Sequence, residues 1–160
     1  MRALRVYVDT SVLGGCFDPE FAPWSVGLVQ DFRLGHLRPV LSDVTAAEVL
    51  PAPGPVRTLH AELLALGAEV VALTPEVLSL VAAYKARGVL GARFESDMRH
   101  IAAATVAEVD VLVSWNFRHI VRLDRIRLFN AANLEAGYKP LTIYSPREVA
   151  SYGAEEPGDG

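Results

Sequence analysis

The stretch ESDMRHIAAATVAEVDVLVS, residues 95–114, holds two different periodicities back to back. From Glu95 to Val106 the spacing predicts a helix: Asp97, Ile101 and Thr105 recur four apart, with Ala102 and Val109 beside that line. The period then changes. Asp110-Val111-Leu112-Val113-Ser114 is a short β-branched apolar run, which reads as a buried strand. A helix feeding a buried strand is the repeating unit of an α/β layered fold with a mostly parallel sheet.

The same alternation continues on both sides. Val6-Tyr7-Val8 reads as strand one, ending at Asp9-Thr10-Ser11, with Gly14-Gly15 marking a loop. Ser25 to Leu34 reads as a helix closed by Gly35, and Pro39-Val40-Leu41 as strand two. Ser42 to Leu50 is a short helix stopped by Pro51, Pro53 and Pro55, and Val56 to Leu66 is another, closed by Gly67. Glu69 to Leu73 is strand three, and Pro75 opens a helix that ends near Arg87 and Gly88. Helical pieces follow between Phe117 and Leu134, then a fifth strand at Leu141-Thr142-Ile143 and one turn from Pro146 to Ala150. One domain is expected over residues 1–150. Residues 151–160, acidic and with little to bury, read as a flexible tail.

Composition narrows the function. A chain of 160 residues is one domain long, and 51% hydrophobic residues can build a packed core. No apolar run approaches the roughly 20 residues of a membrane span, so no membrane association is expected. The amino terminus lacks a secretory pattern, and a lone Cys16 fits a reducing compartment, so the expected location is cytoplasmic. Cys16 itself reads as a small buried hydrophobe. A net charge of −4 argues against gripping long nucleic acid by bulk electrostatics. It leaves room for an enzyme that holds metal ions among carboxylates. Arg118, His119, Arg122, Arg125 and Arg127 are either a solvated helix face or a local phosphate contact.

Polar residues gather where such a sheet binds ligands, beyond the carboxyl ends of its strands. Asp9 ends strand one, Glu48 follows strand two, Asp97 opens the helix before strand four, and Asn116 follows that strand. Each also has a plainer reading. Asp9 suits an N-cap for the turn at Thr10, and Glu48 a capping box with Thr45. Asp97 suits a helix N-terminus, and Asn116 a turn. Convergence at one edge favours a shared site: crowded like charges recruit a cation, and oxygen donors select Mg²⁺ or Mn²⁺. Phosphodiester hydrolysis is the chemistry that follows. Ser114, Thr10 and Ser11 are candidate hydroxyls around the metal. His100 is a candidate donor to a carboxylate or phosphate, and Arg118 a candidate phosphate contact. Trp115 either stacks a base or packs on a helix.

Together the segments Val6–Gly15, Ser42–Leu50, Ser96–Thr105, Val109–Ile120, Asn133–Tyr138 and Ile143–Val149 resemble the PIN-domain family, within it the VapC-like toxin ribonucleases. Ser114-Trp115-Asn116-Phe117-Arg118-His119-Ile120 is the most specific of them. The resemblance implies a three-layer α/β/α sandwich with a four- or five-stranded parallel sheet. It also implies a Mg²⁺- or Mn²⁺-dependent endoribonuclease acting on RNA, often a homodimer and often silenced by a cognate antitoxin. Asp9 and Asp97 match the family's metal-binding acids, and Glu48 the acid that helps position metal or water. Many relatives carry aspartate where Asn116 stands, so a second metal would be held more weakly. The rival reading is a PIN-fold module that binds RNA or protein without catalysis. A haloacid-dehalogenase-like phosphatase would need an aspartate where Ser11 stands, and no phosphate-binding loop of the Gly-Lys-Ser/Thr type occurs.

Overall fold

The structure, a computed structural model, describes residues 2–153, the last three as backbone alone. Five parallel strands run β1 (Leu4–Val8), β2 (Leu37–Ser42), β3 (Glu69–Val71), β4 (Val111–Val113) and β5 (Ile143–Tyr144). Their order in the sheet is β3-β2-β1-β4-β5. The chain therefore winds outward from β1 to β3, then crosses back to set β4 against the other side of β1. Val6 pairs with Pro39 on one side and Val111 on the other. That reversal opens a crevice beyond the carboxyl ends of β1 and β4, the usual ligand position in such sheets.

The period-two alternation of β1 builds two cores. Val6 and Val8 face the layer of α1 (Thr10–Gly15), α2 (Ala22–Arg33), α4 (Gly54–Ala65) and α8 (Pro146–Gly153). Tyr7 faces α5 (Pro75–Ala86), α6 (Glu95–Val106) and α7 (Leu123–Glu135). The remaining helix, α3 (Asp43–Val49), leaves β2 at the carboxyl edge. The result is the expected three-layer α/β/α sandwich on a five-stranded parallel sheet. A buried polar bolt crosses the second core: Tyr84 of α5 donates to Asn133 of α7 (2.5 Å), whose amide donates to Thr105 of α6 (3.3 Å). Satisfied on both sides, such a network fixes how three helices register.

Several boundaries differ from the sequence expectation. Gly14 and Gly15 lie inside α1, not in a loop. Gly15 is there for closeness: a Cβ at that position would come within 2.6 Å of both the Ser25 hydroxyl and the Trp115 indole nitrogen. Strand five begins at Ile143, later than expected, because Leu141 turns inward while Asn130 bonds its backbone on both sides. The expected helical pieces after Phe117 are one helix, α7, and the turn at Pro146 extends into α8 as far as Gly153. Gly35, Gly67 and Gly88 do close helices, each with positive φ. From residue 154 the expected acidic tail lies outside the described residues. Among the described residues, no helix is long and apolar enough to cross a membrane.

Candidate metal centre

Asp9 follows β1, where its N–H donates to the Val113 carbonyl at the end of β4 (3.1 Å). It occupies the N-cap position of α1 yet makes no side-chain cap bond. Its carboxylate is claimed elsewhere. Ser114 and Ser11 donate to Oδ2 at 2.6 and 2.8 Å, and Oδ1 faces the His100 Nε2 at 3.3 Å. Ser11 also accepts from the Trp115 N–H, and Ser114 from the Asn116 N–H. Two strand ends are thus stitched together around one buried acid.

Glu48 is free of capping as well. The capping box of α3 is made by Ser42 and Thr45, so Glu48 lies one turn further on and projects toward the crevice. Its Oε1 accepts from Thr10 (2.7 Å) and lies 2.5 Å from His100 Nε2. Burial pushes the Glu48 pKa up, but the His100 bond and charge, with the Thr10 hydroxyl, overcome it and hold the carboxyl below its usual range.

His100 is fully buried on α6, one turn beyond Asp97. Its Nδ1 lies 2.6 Å from the Tyr7 hydroxyl, itself 2.6 Å from Ser42 Oγ. Burial alone would lower its pKa. The Tyr7 oxygen and the charges of Asp9 and Glu48 push the other way and hold it well above its ordinary value. Asp9, Glu48 and His100 each present one ligand atom within 4.8 Å of the others, a set that could hold a metal ion.

Asp97 stands outside that close set but inside its field. It is half-buried, with Oδ2 3.3 Å from His119 Nδ1. Desolvation raises its pKa, and the charge of Asp9 raises it further, with a smaller push from Glu48. His119 and His100 oppose the rise without cancelling it. An acid whose neighbours discourage ionisation is the electrostatic mark of a cation-seeking pocket. The donor set, carboxylates and an imidazole, therefore fits a divalent ion.

The other candidates separate. Asn116 keeps its turn reading: Oδ1 accepts from the N–H groups of Arg118 (3.2 Å) and His119 (3.0 Å), which uses both lone pairs. Trp115 packs rather than projects, stacked on Phe21 at 4.3 Å with its Nε1 donating to Ser25. The basic stretch is dispersed. Arg122 pairs with Asp124, Arg125 donates to the Val89 carbonyl, and His119 serves Asp97. Arg118 and Phe117 remain exposed. Next to His119, Phe94 lies at 4.0 Å with the Arg93 guanidinium over its ring, a cationic and aromatic rim beside Asp97. Cys16 is half-buried rather than fully buried, packed against the first core, and burial pushes its thiol up to about 11, well away from a reactive thiolate.

Sequence reasoning missed Tyr7 and Ser42 as site members. A signal existed. Tyr7 precedes Asp9 by two residues of extended backbone and so shares its sheet face, while Ser42 ends the neighbouring strand.

No family model matches the chain, and no curated protein matches it. Solved structures do. One, FitAB bound to a DNA fragment designated IR36, shares the fold over 88% of this chain and 94% of that one. The TM-score is 0.53 and the sequence identity 17%, so the likeness is one of architecture.

Proposed function

We propose that this chain is a divalent-metal-dependent endoribonuclease of the PIN type, acting as the toxin of a toxin–antitoxin pair. The observation that carries the reading is the close set of Asp9, Glu48 and buried His100 at the sheet's topological switch point, with Asp97 inside its electrostatic field. A bound Mg²⁺ or Mn²⁺ would supply an activated water and stabilise charge on a phosphoryl oxygen. Asp9 and Glu48 hold the ion, with Ser11, Ser114 and Thr10 fixing their carboxylates so that no reorganisation is needed. Asp97 adds its charge to the negative pocket, oriented by His119. Arg93 stands on the rim, and the exposed Phe117 and Arg118 follow the carboxyl end of β4, suited to base and phosphate contacts.

RNA as substrate, a cognate antitoxin and a homodimer all rest on the resemblance of the quoted segments to VapC-like proteins. The occupied Asn116 oxygen supports a one-ion site over a two-ion site. Purified protein, freed of any bound partner, should cleave RNA with Mg²⁺ or Mn²⁺. Chelator should abolish the cleavage, and Asp97→Asn should remove it. If no divalent ion supports cleavage, the binding-module reading replaces this one.

A further inference from the structure

We infer that His100 is itself a metal ligand, through Nε2, and that it makes this site selective for a first-row transition dication such as Mn²⁺ over Mg²⁺. The inference rests on the metal-site reading above and adds to it the identity of the ion. Three observations carry it.

First, the tightest constellation at the switch point is not an all-carboxylate one. It is Asp9, Glu48 and His100, with Asp97 outside it.

Second, Asp9 and His100 are each anchored on one side and face the common point with the other, and the Glu48 Oε1 that meets His100 also accepts from Thr10. Asp9 has Oδ2 tied to Ser11 and Ser114, and Oδ1 turned toward His100. Glu48 is held by Thr10. His100 has Nδ1 against the Tyr7 hydroxyl, and Tyr7 leans on Ser42, which in turn accepts from the Val44 N–H. With Tyr7 as acceptor, the Nδ1 proton stays on the outer nitrogen, and Nε2, which donates to Glu48, is the nitrogen turned toward the acids. This is the outer-shell arrangement that orients metal-bound histidines.

Third, a ring that is fully buried and bonded at both nitrogens has no room to swing away. An ion seated between Asp9 and Glu48 therefore meets Nε2, and displaces to solvent the proton that Glu48 accepts.

An imidazole nitrogen changes which ions suit the pocket. Mg²⁺ prefers an all-oxygen shell, whereas imidazole favours transition ions in proportion to their place in the Irving–Williams order. The site should bind Mn²⁺ more tightly than Mg²⁺, and Co²⁺ more tightly still.

The full-length protein is titrated with Mn²⁺, Co²⁺ and Mg²⁺ by calorimetry, as wild type, His100→Gln and Asp9→Asn. The Mn²⁺ complex of the wild type is also examined by pulsed electron paramagnetic resonance for coupling to a directly bound nitrogen. We expect the nitrogen coupling in the wild type. His100→Gln should lower Mn²⁺ affinity by roughly 10–100-fold while Mg²⁺ affinity holds or rises, so the preference collapses. An unchanged Mn²⁺-to-Mg²⁺ ratio, or a Mn²⁺ complex without nitrogen coupling, overturns the inference. The spectrum needs no substitution, so a misfolded His100→Gln leaves the test standing. Asp9→Asn separates the two readings. If it abolishes binding of every ion while His100→Gln alters nothing, the metal site stands and His100 is no ligand. If Asp9→Asn also binds normally, the site itself is elsewhere and both readings fall.

Discussion

The two edges of the sheet carry charge in opposite ways. At the amino edge, Arg5 donates to the Ala107 and Glu108 carbonyls and to Glu69, while its own N–H meets Asp110. Lys139 stands near Glu108. A cavity of about 580 Å³ opens there, lined in part by Arg2, Arg5, Thr105, Glu108, Asp110 and Lys139. There Glu108 faces Lys139, Arg5 pairs with Glu69, and Asp110 accepts a backbone N–H. At the carboxyl edge three acids converge on two histidines and on hydroxyls, and Asp97 is held against ionisation. Unmet charge marks the functional edge better than volume does, because only unmet charge can be turned into binding energy for an ion.

The sharpest way to break this contrast is Asp9→Asn. It should lower divalent-ion affinity at least about 100-fold, read by calorimetry in chelator-stripped protein. An affinity close to wild type would mean that the edge is not what it looks like. Gly15→Ala tests the scaffold beneath the acids. Its new methyl meets Ser25 and Trp115 at 2.6 Å, and urea unfolding should show a cost of about 1–3 kcal/mol. Arg5→Ala strips two helix-end carbonyls of their donor at the opposite edge, at a cost of about 1–2 kcal/mol. Metal affinity should not move; if it does, the edges are coupled. Asn116→Ala removes a turn cap and should cost about 1 kcal/mol, with metal affinity within about threefold of wild type. A large loss of affinity there would restore Asn116 as a ligand.

The smallest effect has an informative sign. The Asp97 pKa is raised on folding, so the folded state binds that proton more tightly than the unfolded chain does. Ionisation then penalises the fold. The penalty opens as pH rises past the ordinary aspartate value and is complete above the raised one. In chelator at neutral pH, Asp97→Asn should melt higher than wild type, and the gap should close in acid. The opposite order at neutral pH would show that His119 outweighs the acids.

Much of this edge was legible in advance because it depends on where strands end. β-branched runs place strands, and an acid directly after a buried run must emerge at the carboxyl edge, as Asp9 does. Glu48 and Asp97 follow from the same logic. The competing local roles of Asp9, Glu48 and Asn116 were also visible, but not which would prevail. That depended on neighbours. Ser42 and Thr45 took the capping box and released Glu48, whereas two backbone N–H groups took Asn116.

The sequence by itself determined the layered α/β architecture, the order of its elements and the edge where acids collect. Periodicity and strand ends are properties of contiguous residues. Only the tertiary structure decided that the tightest set includes His100, that Tyr7 and Ser42 hold its ring, and that Asp97 stands apart. Those facts join Tyr7 to His100 across 93 residues and Asp9 to Ser114 across 105. Contacts at such separations arise from how helices and strands stack, and no local pattern encodes them.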